Sequence, residues 1–404
     1  LPNVVGYDSL NEPVAQWIGQ MDINQLPENA LLLSGLTFTP LQAMAAAAGH
    51  AVEVPVYEMG FGGAKVVAQT TVNPDGVRLW RDGFPDIWQQ NGVWLDEGGE
   101  IEVLHSDHFA MSAGRKAEFT RDYLKPFILR FVDAIRSVDP DALLFIEHAP
   151  GGGHVEWSAD DAPQAVNAGH WYDGITLIGK HFNPDATIDF ATGQFVNGAE
   201  NVQQSFVGQL AHVKNESIEH MGGIPTLIGE FGIPFDLDDK QAYSDGNFST
   251  HVLALDMYYD AMDANLLNCT IWNYTADNTN ARGDLWNDED LSIFSVDQLD
   301  EPDNINSGGR ATEAIVRPYA QRTPGEPLRQ SFDLPTHTFA YEFRHDAALN
   351  TPTEVFVPDI QYPRGAVVEV SDGSYTFDHA TNLLTYQHTS EQATHTIRIT
   401  PRPA

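Results

Sequence analysis

Cysteine is almost absent from this sequence: among its 404 residues there is one, Cys269. A single cysteine cannot form a disulfide within the chain, and its place in an apolar run indicates a buried, unreactive thiol rather than a catalytic one. The sequence also lacks any run of about 18 or more apolar residues, so no stretch of it is predicted to span a membrane as a helix.

Basic residues are scarce as well. Lys and Arg together number 21 against 57 Asp and Glu, which gives a formal net charge of −36. Nucleic acid is therefore not an expected partner, because phosphate contacts need Lys and Arg. Two interpretations of the acidity stay open: a charged surface that keeps the protein in solution, or adaptation to a high-salt environment in which ions screen the self-repulsion.

Residues 1–320 alternate apolar strands with amphipathic helices, the pattern of βαβ units in a parallel sheet. The predicted strands are Val4–Tyr7, Ala142–Glu147, Trp171–Ile178, Pro225–Glu230 and Leu267–Trp272. Apolar residues at i, i+3 and i+4 spacing predict helices over Leu124–Ile135, Val202–Val213 and Val252–Met262, with a last helix near Arg310–Tyr319.

Five such units are visible, whereas a closed (β/α)₈ TIM barrel has eight. The sequence therefore predicts a TIM barrel, over residues 1–322, whose first three units are absent from the chain. A preceding segment or another chain would complete it. By itself the chain is expected to be inactive or unstable, because an open barrel leaves two strand edges unpaired.

A long connection over residues 16–116 interrupts the barrel pattern. It is rich in Gly and Pro and contains the aromatic residues Phe38, Phe61, Trp80, Phe84, Trp88 and Trp94. Connections of this length are usually lids or binding loops, and one that binds an apolar aglycone is the favoured interpretation. The alternative is a small packed subdomain with its own aromatic core.

The character of the chain changes after Arg322. Residues 326–404 contain short alternating runs separated by turn clusters such as Ser371-Asp372-Gly373. This pattern predicts a small C-terminal domain, an antiparallel β-sandwich.

Two glutamates come at the ends of predicted strands. Glu12 stands in Asn11-Glu12-Pro13, and Glu230 stands in Gly229-Glu230-Phe231-Gly232. In a barrel both would point to the same mouth. A pair of carboxyl groups at a sugar site can divide the work of glycoside hydrolysis: one gives a proton to the leaving oxygen and the other attacks the anomeric carbon.

With these motifs on one scaffold, residues 1–320 resemble glycoside hydrolase family 5, in the branch of endoglycoceramidases, microbial glucosylceramidases and steryl-β-glucosidases. The trailing sandwich is also typical of that branch. The stretches that carry the resemblance are 6–13, Trp88–Trp94, His170–Asp173, Ile228–Gly232, Trp272–Asn278, Arg282–Asp284, Trp286-Asn287 and Glu289–Ser295.

The resemblance implies a retaining hydrolase that needs no metal or cofactor, with Glu12 as general acid/base and Glu230 as nucleophile. It implies that Asn11 binds the sugar 2-hydroxyl, a contact that strengthens in the transition state. Turn capping is the alternative role for this asparagine.

The same resemblance assigns three residues to the wall of the site. Tyr172 would hydrogen-bond the nucleophile, His170 would line the wall beside it, and Trp272 would stack beneath the sugar. Ordinary packing in the barrel is the alternative for all three.

Several further polar residues are weaker candidates. Asp277, Asn278, Arg282 and Glu289 follow the last predicted strand and would contact the sugar or brace their own loop. Candidates for an aglycone-side subsite are Glu147, His148, His154, Glu156 and Trp157. The pair His105 and His108 has zinc-like spacing but no matching partners in the sequence, so structural roles are favoured.

The expected substrate is a small-molecule or glycolipid β-glucoside with an apolar aglycone, such as a glucosylceramide or a steryl glucoside. Such a substrate implies transient contact with a membrane surface. Two alternatives stay open: an endo-acting glycosidase on glycolipid or polysaccharide, and a glycan- or lipid-binding protein without catalysis. The compartment and the oligomeric state are left open.

Overall fold

The computed structural model describes residues 3–26, 35–60, 63–84, 86–148, 154–189, 192–285 and 289–403. Phe61 and the pair Trp286-Asn287, which entered the predictions above, lie outside these residues. The chain forms two compact units, described one at a time. The first unit comprises Leu1–Leu10, Asp141–Gly151 and Trp157–Ala404, and the second comprises Asn11–Pro140 and Gly152–Glu156.

Short parallel strands form the frame of the first unit. They are β1 (Gly6–Asp8), β2 (Leu143–Ile146), β3 (Ala165–Asn167), β4 (Leu227–Phe231) and β5 (Asn268–Ile271). Strand β2 lies between β1 and β3, β4 pairs with β5, and a parallel bridge joins the end of β3 to the residue just before β4. Because the strands are parallel, their carboxyl ends face the same way.

Two of the predicted elements are wrong. The strand predicted over Trp171–Ile178 is a helix over Gly174–Gly179, and the strand lies earlier, at β3. A short apolar run fits a buried strand and a buried helix equally well, so periodicity could not separate them. The helix predicted near Arg310–Tyr319 is one turn, Thr312–Ile315, and the chain then enters a strand.

Two long helices cover β4 and β5, as the sequence predicts. Their buried faces, with Phe206 on one helix and Tyr258 on the other, pack with Ile228 and Phe231 of β4. The thiol of Cys269 on β5 is free, and burial raises its pKa to about 12, which agrees with an unreactive cysteine. The helices of this part are Gly174–Gly179, Ala199–His220, Leu237–Asp245, Ser249–Asn265, Thr312–Ile315 and the 3₁₀ turn Val296–Gln298, and a hairpin pairs Ala186–Asp189 with Gln194–Asn197.

The second unit has an apolar core of its own. Ile23, Met44, Val93 and Trp94 are buried together, and the ring of Trp88 packs against them. This core supports the interpretation of the long connection as a packed subdomain. The elements are strands Gly35–Leu36, Val52–Gly60, Gly63–Val72, Trp94–Glu97, Glu100–Val103, Met111–Ser112 and Arg115–Lys116, helices Pro40–Ala48, Ile87–Gln90 and Lys125–Arg136, and the π-helical turn Thr120–Leu124.

The C-terminal part of the first unit consists of two four-stranded antiparallel sheets. The strands are β6 (Tyr319–Arg322), β7 (Gly325–Asp333), β8 (Thr338–His345), β9 (Thr353–Phe356), β10 (Ala366–Val370), β11 (Ser374–Asp378), β12 (Leu383–Gln387) and β13 (Thr394–Pro401), with a 3₁₀ turn Leu334–Thr336. The sheet orders are β6-β9-β12-β11 and β7-β8-β13-β10, and Phe339, Phe343, Val355 and Leu384 lie in their shared core. Strand β6 begins before residue 326, where the sequence placed the start of this region.

No helix in the described part of the chain has both the length and the apolarity needed to cross a bilayer.

One buried arginine ties the sheets to the long helix Ser249–Asn265. The guanidinium of Arg317 lies 2.5 Å from Asp256 and 2.7 Å from Asp260, and it donates to the carbonyl of Phe332 at 2.9 Å. Its charge also lies over the rings of Tyr259 and Phe332. Burial raises the pKa of the Asp260 carboxyl to about 6, against the opposing attraction of Arg317.

We expect Arg317→Met to lower the free energy of unfolding by about 3 kcal/mol, because it leaves two partly buried carboxylates without their cation. Arg344→Met is the matched control. That arginine pairs with Glu326 on the surface, where such a pair contributes roughly 0–1 kcal/mol. Urea unfolding at neutral pH measures both losses, and equal losses would contradict the anchoring role of Arg317.

Candidate functional site

Glu230 lies near the carboxyl end of β4, between two glycines that close packing requires. A Cβ on Gly229 would lie 2.6 Å from the carbonyl oxygen of Ala168, and one on Gly232 would lie 2.3 Å from that of Trp272. Real side chains do not tolerate such distances, so only glycine allows these backbones to approach. The two glycines therefore bring the chain segments that follow β3 and β5 against Glu230.

The carboxylate of Glu230 is held by two side chains from the segment after β3. The hydroxyl of Tyr172 donates to its Oε2 at 2.9 Å, and His170 Nδ1 lies 3.3 Å from the same oxygen. The backbone N–H of Trp171, between them, donates to the carbonyl of Glu230 at 2.9 Å. Donors aimed at a carboxylate favour its ionised form and fix its orientation.

A second carboxylate stands behind the histidine. His170 Nε2 lies 3.1 Å from Oε1 of Glu147, and both side chains are almost completely buried. Glu147 in turn hydrogen-bonds Asp8, whose pKa is raised to about 7 by desolvation first, and then by this hydrogen bond and the charge of Glu147. Asp8, Glu147, His170 and Glu230 thus form one row, called here the carboxylate–imidazole row.

Sequence reasoning assigned Glu147 to an aglycone subsite and did not single out Asp8. The structure gives both a place in the carboxylate–imidazole row. The sequence contained a signal for both residues, because Asp8 ends β1 and Glu147 follows β2 directly. These two strands are neighbours in the sheet.

Trp272 follows β5 directly. Its backbone N–H donates to the carbonyl of Phe231 at 2.8 Å, and its peptide bond to Asn273 is cis. The residue is 36% exposed, so the described part of the chain covers it only partly. Stacking of a sugar on this ring stays a prediction.

The loop after β5 is braced by buried polar groups. Asn278 donates to Asp284 at 3.1 Å and to Asp290 at 2.7 Å, and the fully buried Arg310 pairs with Asp290 at 2.7 Å. Burial raises the pKa of Asp284, and hydrogen bonds from its neighbours oppose the rise. For Asn278 these contacts favour the bracing role over sugar contact. The sequence did not indicate the bracing role of Arg310, because its partner Asp290 is distant in sequence.

Other predicted residues of this loop are more exposed. The side chain of Asp277 is 81% exposed and lies 3.7 Å from Arg282, which also donates to the Asp277 carbonyl at 2.5 Å. Glu289 accepts a hydrogen bond from the backbone of Asp284 through its own carbonyl. A sugar contact by Asp277 stays a prediction.

The residues proposed for an aglycone subsite have separate surroundings. His148 lies 3.6 Å from Glu216, and Trp157 is buried with its indole N–H donating to the carbonyl of Ala162. In the second unit, His154 pairs with Glu156 at 3.0 Å. The buried position of Trp157 favours packing over substrate contact.

Asn11 and Glu12 begin the second unit. Glu12 is half-buried, and its φ of 41° lies in the left-handed region that non-glycine residues rarely adopt. Such backbone strain is concentrated at functional positions in proteins. The partnership of Glu12 with Glu230 stays a prediction.

His105 and His108 also lie in the second unit. The ring of His108 packs edge-on against Trp88 and Phe109, which agrees with a structural role for that histidine.

Comparison with known families matches two parts of the chain. Residues 106–278 match the cellulase model of glycosyl hydrolase family 5, and residues 317–399 match the glycoside hydrolase family 5 C-terminal domain. The second match begins just before β6. Together the two models cover most of both the parallel and the antiparallel regions.

Individual relatives extend over nearly the whole chain. A glucosylceramidase of Rhizopus delemar is 30% identical over 96% of this chain and 60% of its own length, and the ergosteryl-beta-glucosidase of Saccharomyces cerevisiae is 24% identical over 95% and 62%. The solved structure of Cryptococcus neoformans sterylglucosidase 1 superposes with a TM-score of 0.88 at 27% identity, covering 99% of this chain and 64% of that one. The chain thus spans about 60% of the length of the relatives it matches.

The pKa of Asp8 gives a pH-dependent stability with a defined sign. A carboxyl whose pKa rises from 3.8 to about 7 on folding binds its proton more tightly in the folded state. Its contribution to stability is therefore complete below about pH 4 and is lost as the pH rises through about 7. We expect Asp8→Asn to lose less stability than the parent between pH 5 and pH 8.

Urea unfolding at the two pH values measures this difference. Asp378→Asn is the control, since Asp378 is exposed and its pKa is lowered, so it stays ionised across this range. If the parent and Asp8→Asn declined equally, the raised pKa of Asp8 would be disproved.

Proposed function

Since the chain belongs to glycoside hydrolase family 5, we propose that it hydrolyses β-glucosides with lipid aglycones through a covalent glycosyl-enzyme intermediate. Its parallel strands are part of the family's TIM barrel, and its antiparallel sheets form the C-terminal domain, which we infer to be a β-sandwich. The observation that carries the proposal is the carboxylate of Glu230, held by Tyr172 and His170 near the carboxyl end of β4.

In the first step, Glu230 attacks the anomeric carbon and the bond to the aglycone oxygen breaks. Glu12, as general acid, gives its proton to the departing oxygen. In the second step Glu12 takes a proton from water, the water oxygen attacks the anomeric carbon, and Glu230 leaves as a carboxylate. The sugar keeps its anomeric configuration, because each of the two attacks inverts the anomeric carbon.

The donors around Glu230 fit this role. A nucleophilic carboxylate must be ionised and must point one oxygen at the sugar, and Tyr172 and His170 both contact Oε2. Trp272 is partly exposed, and its indole is proposed to stack against the apolar side of a pyranose. Asn11 is proposed to bind the 2-hydroxyl, and Asp277 to contact the sugar from the loop after β5.

The substrate class rests on the relatives. Those described above are named for glucosylceramide and for sterol glucosides, in which glucose is joined to a large apolar group. A transient contact with a membrane surface follows from such a substrate and is part of the proposal.

We expect an activated 2-deoxy-2-fluoro-β-glucoside to label Glu230 covalently. The fluorine slows both steps, and the good leaving group speeds only the first, so the glycosyl-enzyme accumulates. Mass spectrometry of the digested protein locates the label. Glu230→Gln should take up no label and should lose at least about a thousand-fold in kcat. A label on another carboxyl group would disprove the assignment. A protein with a closed barrel that binds glucosides but is never labelled would favour a binding protein without catalysis.

We expect Tyr172→Phe to lower kcat/KM for an aryl glucoside by roughly 10- to 100-fold, because it removes one hydrogen bond to a charged oxygen. The rate of fluoroglucoside labelling should fall with it. Tyr375→Phe, at an exposed position of the C-terminal domain, is the control and should leave both rates unchanged. Unchanged labelling of Tyr172→Phe would show that this hydroxyl does not assist Glu230.

A further inference from the structure

Three histidines meet in the C-terminal domain, apart from the residues of the proposed reaction. His345 ends β8, His395 lies at the start of β13, and His388 follows β12 directly. One ring nitrogen from each lies within 4.8 Å of the others, and His345 Nδ1 is 2.9 Å from His395 Nε2. Strands β8 and β13 belong to one sheet and β12 to the other, so the trio, called here the histidine cluster, joins both sheets.

A carboxylate orients the most buried member of the histidine cluster. His395 is fully buried, and its Nδ1 lies 3.0 Å from Oδ1 of Asp372. Tyr386 and Thr389 also donate hydrogen bonds to Asp372. This carboxylate accepts a hydrogen bond from the Nδ1–H of His395, so the lone pair of His395 Nε2 points into the cluster. Metal-binding histidines are characteristically held in this way.

The third histidine, His388, has a ring nitrogen that makes no hydrogen bond. Nδ1 of His388 is buried and has no hydrogen-bond partner, although the ring lies 4.9 Å from that of His345 and 4.6 Å from that of His395. A neutral imidazole nitrogen without a hydrogen-bond partner has a lone pair that a metal ion can use. Ring packing accounts for the contacts between the three rings, but not for a buried nitrogen without a partner.

We propose that His345, His388 and His395 bind a divalent transition-metal ion that links the two sheets of the C-terminal domain. Imidazole ligands favour Zn²⁺ and its neighbours Co²⁺, Ni²⁺ and Cu²⁺ over Mg²⁺ and Ca²⁺. Around tetrahedral zinc, ligand atoms at 2.0–2.1 Å from the ion are about 3.3 Å apart. The two closest ring nitrogens need only a small shift to reach that spacing, and a water molecule would complete the site.

The binding experiment uses the full chain after treatment with a chelator. Zn²⁺ is titrated calorimetrically in excess Mg²⁺, which occupies weak carboxylate sites on so acidic a surface. Co²⁺ is titrated in parallel, because its visible absorption reports tetrahedral coordination. We expect one equivalent of either ion to bind, and the midpoint of thermal unfolding to rise with Zn²⁺ concentration.

Variants assign the ion to the histidine cluster. His388→Gln and His345→Gln should each lose the tight equivalent, the cobalt absorption and the thermal shift, and Asp372→Asn should weaken binding about 10- to 100-fold. His379→Gln, exposed on the same domain, is the matched control and should bind like the parent. Unfolding midpoints without metal show that each variant is folded. Absence of a tight equivalent in the parent, or its survival in His388→Gln and His345→Gln, would overturn the proposal.

Discussion

The position of one carboxylate, that of Glu230, depends on how closely three backbone segments approach. Gly229 and Gly232 leave no room for a side chain beside Glu230, so the segments after β3 and β5 come within contact distance of β4. That approach lets Tyr172 and His170 contact the carboxylate. It also places Trp272 next to β4, since Phe231 pairs with Ile271, the residue before Trp272. A bulkier residue at either glycine would separate these segments, and the donors with them.

The carboxylate–imidazole row extends the same arrangement across the sheet edge. Each of four parallel strands contributes one titratable group at or just beyond its carboxyl end, and each group contacts the next: Asp8, Glu147, His170 and Glu230. Neighbouring carboxylates resist being ionised together, which agrees with the raised pKa of Asp8. His170 faces a carboxyl group on each side, Glu147 and Glu230.

The antiparallel region depends on different interactions. Arg317 binds it to the long helix Ser249–Asn265 through two aspartates, and the shared aromatic core holds its two sheets together. The histidine cluster lies between those same sheets. Its proposed metal would add a link whose strength does not depend on the apolar core, which is useful in a region of small sheets. The two functional proposals therefore depend on different side chains.

The order of elements and the chemical candidates followed from the sequence alone. Alternation of apolar strands with helices at 3.6-residue spacing is a local property, so β1, β2, β4, β5 and both long helices were predictable. Glu230 stands in a recognisable motif at a strand end, whereas His170 and Tyr172 were named from the family resemblance, beside a strand that was predicted too late in the chain. Only the tertiary structure decided what they contact. The position of β3, the contact of Glu147 with His170, and the pairing of Arg310 with Asp290 depend on segments distant in sequence. The histidine cluster depends on tertiary structure in the same way. His345 and His395 lie on strands of one sheet and His388 follows a strand of the other, so they meet only because the two sheets pack together, and no spacing along the chain indicates that packing.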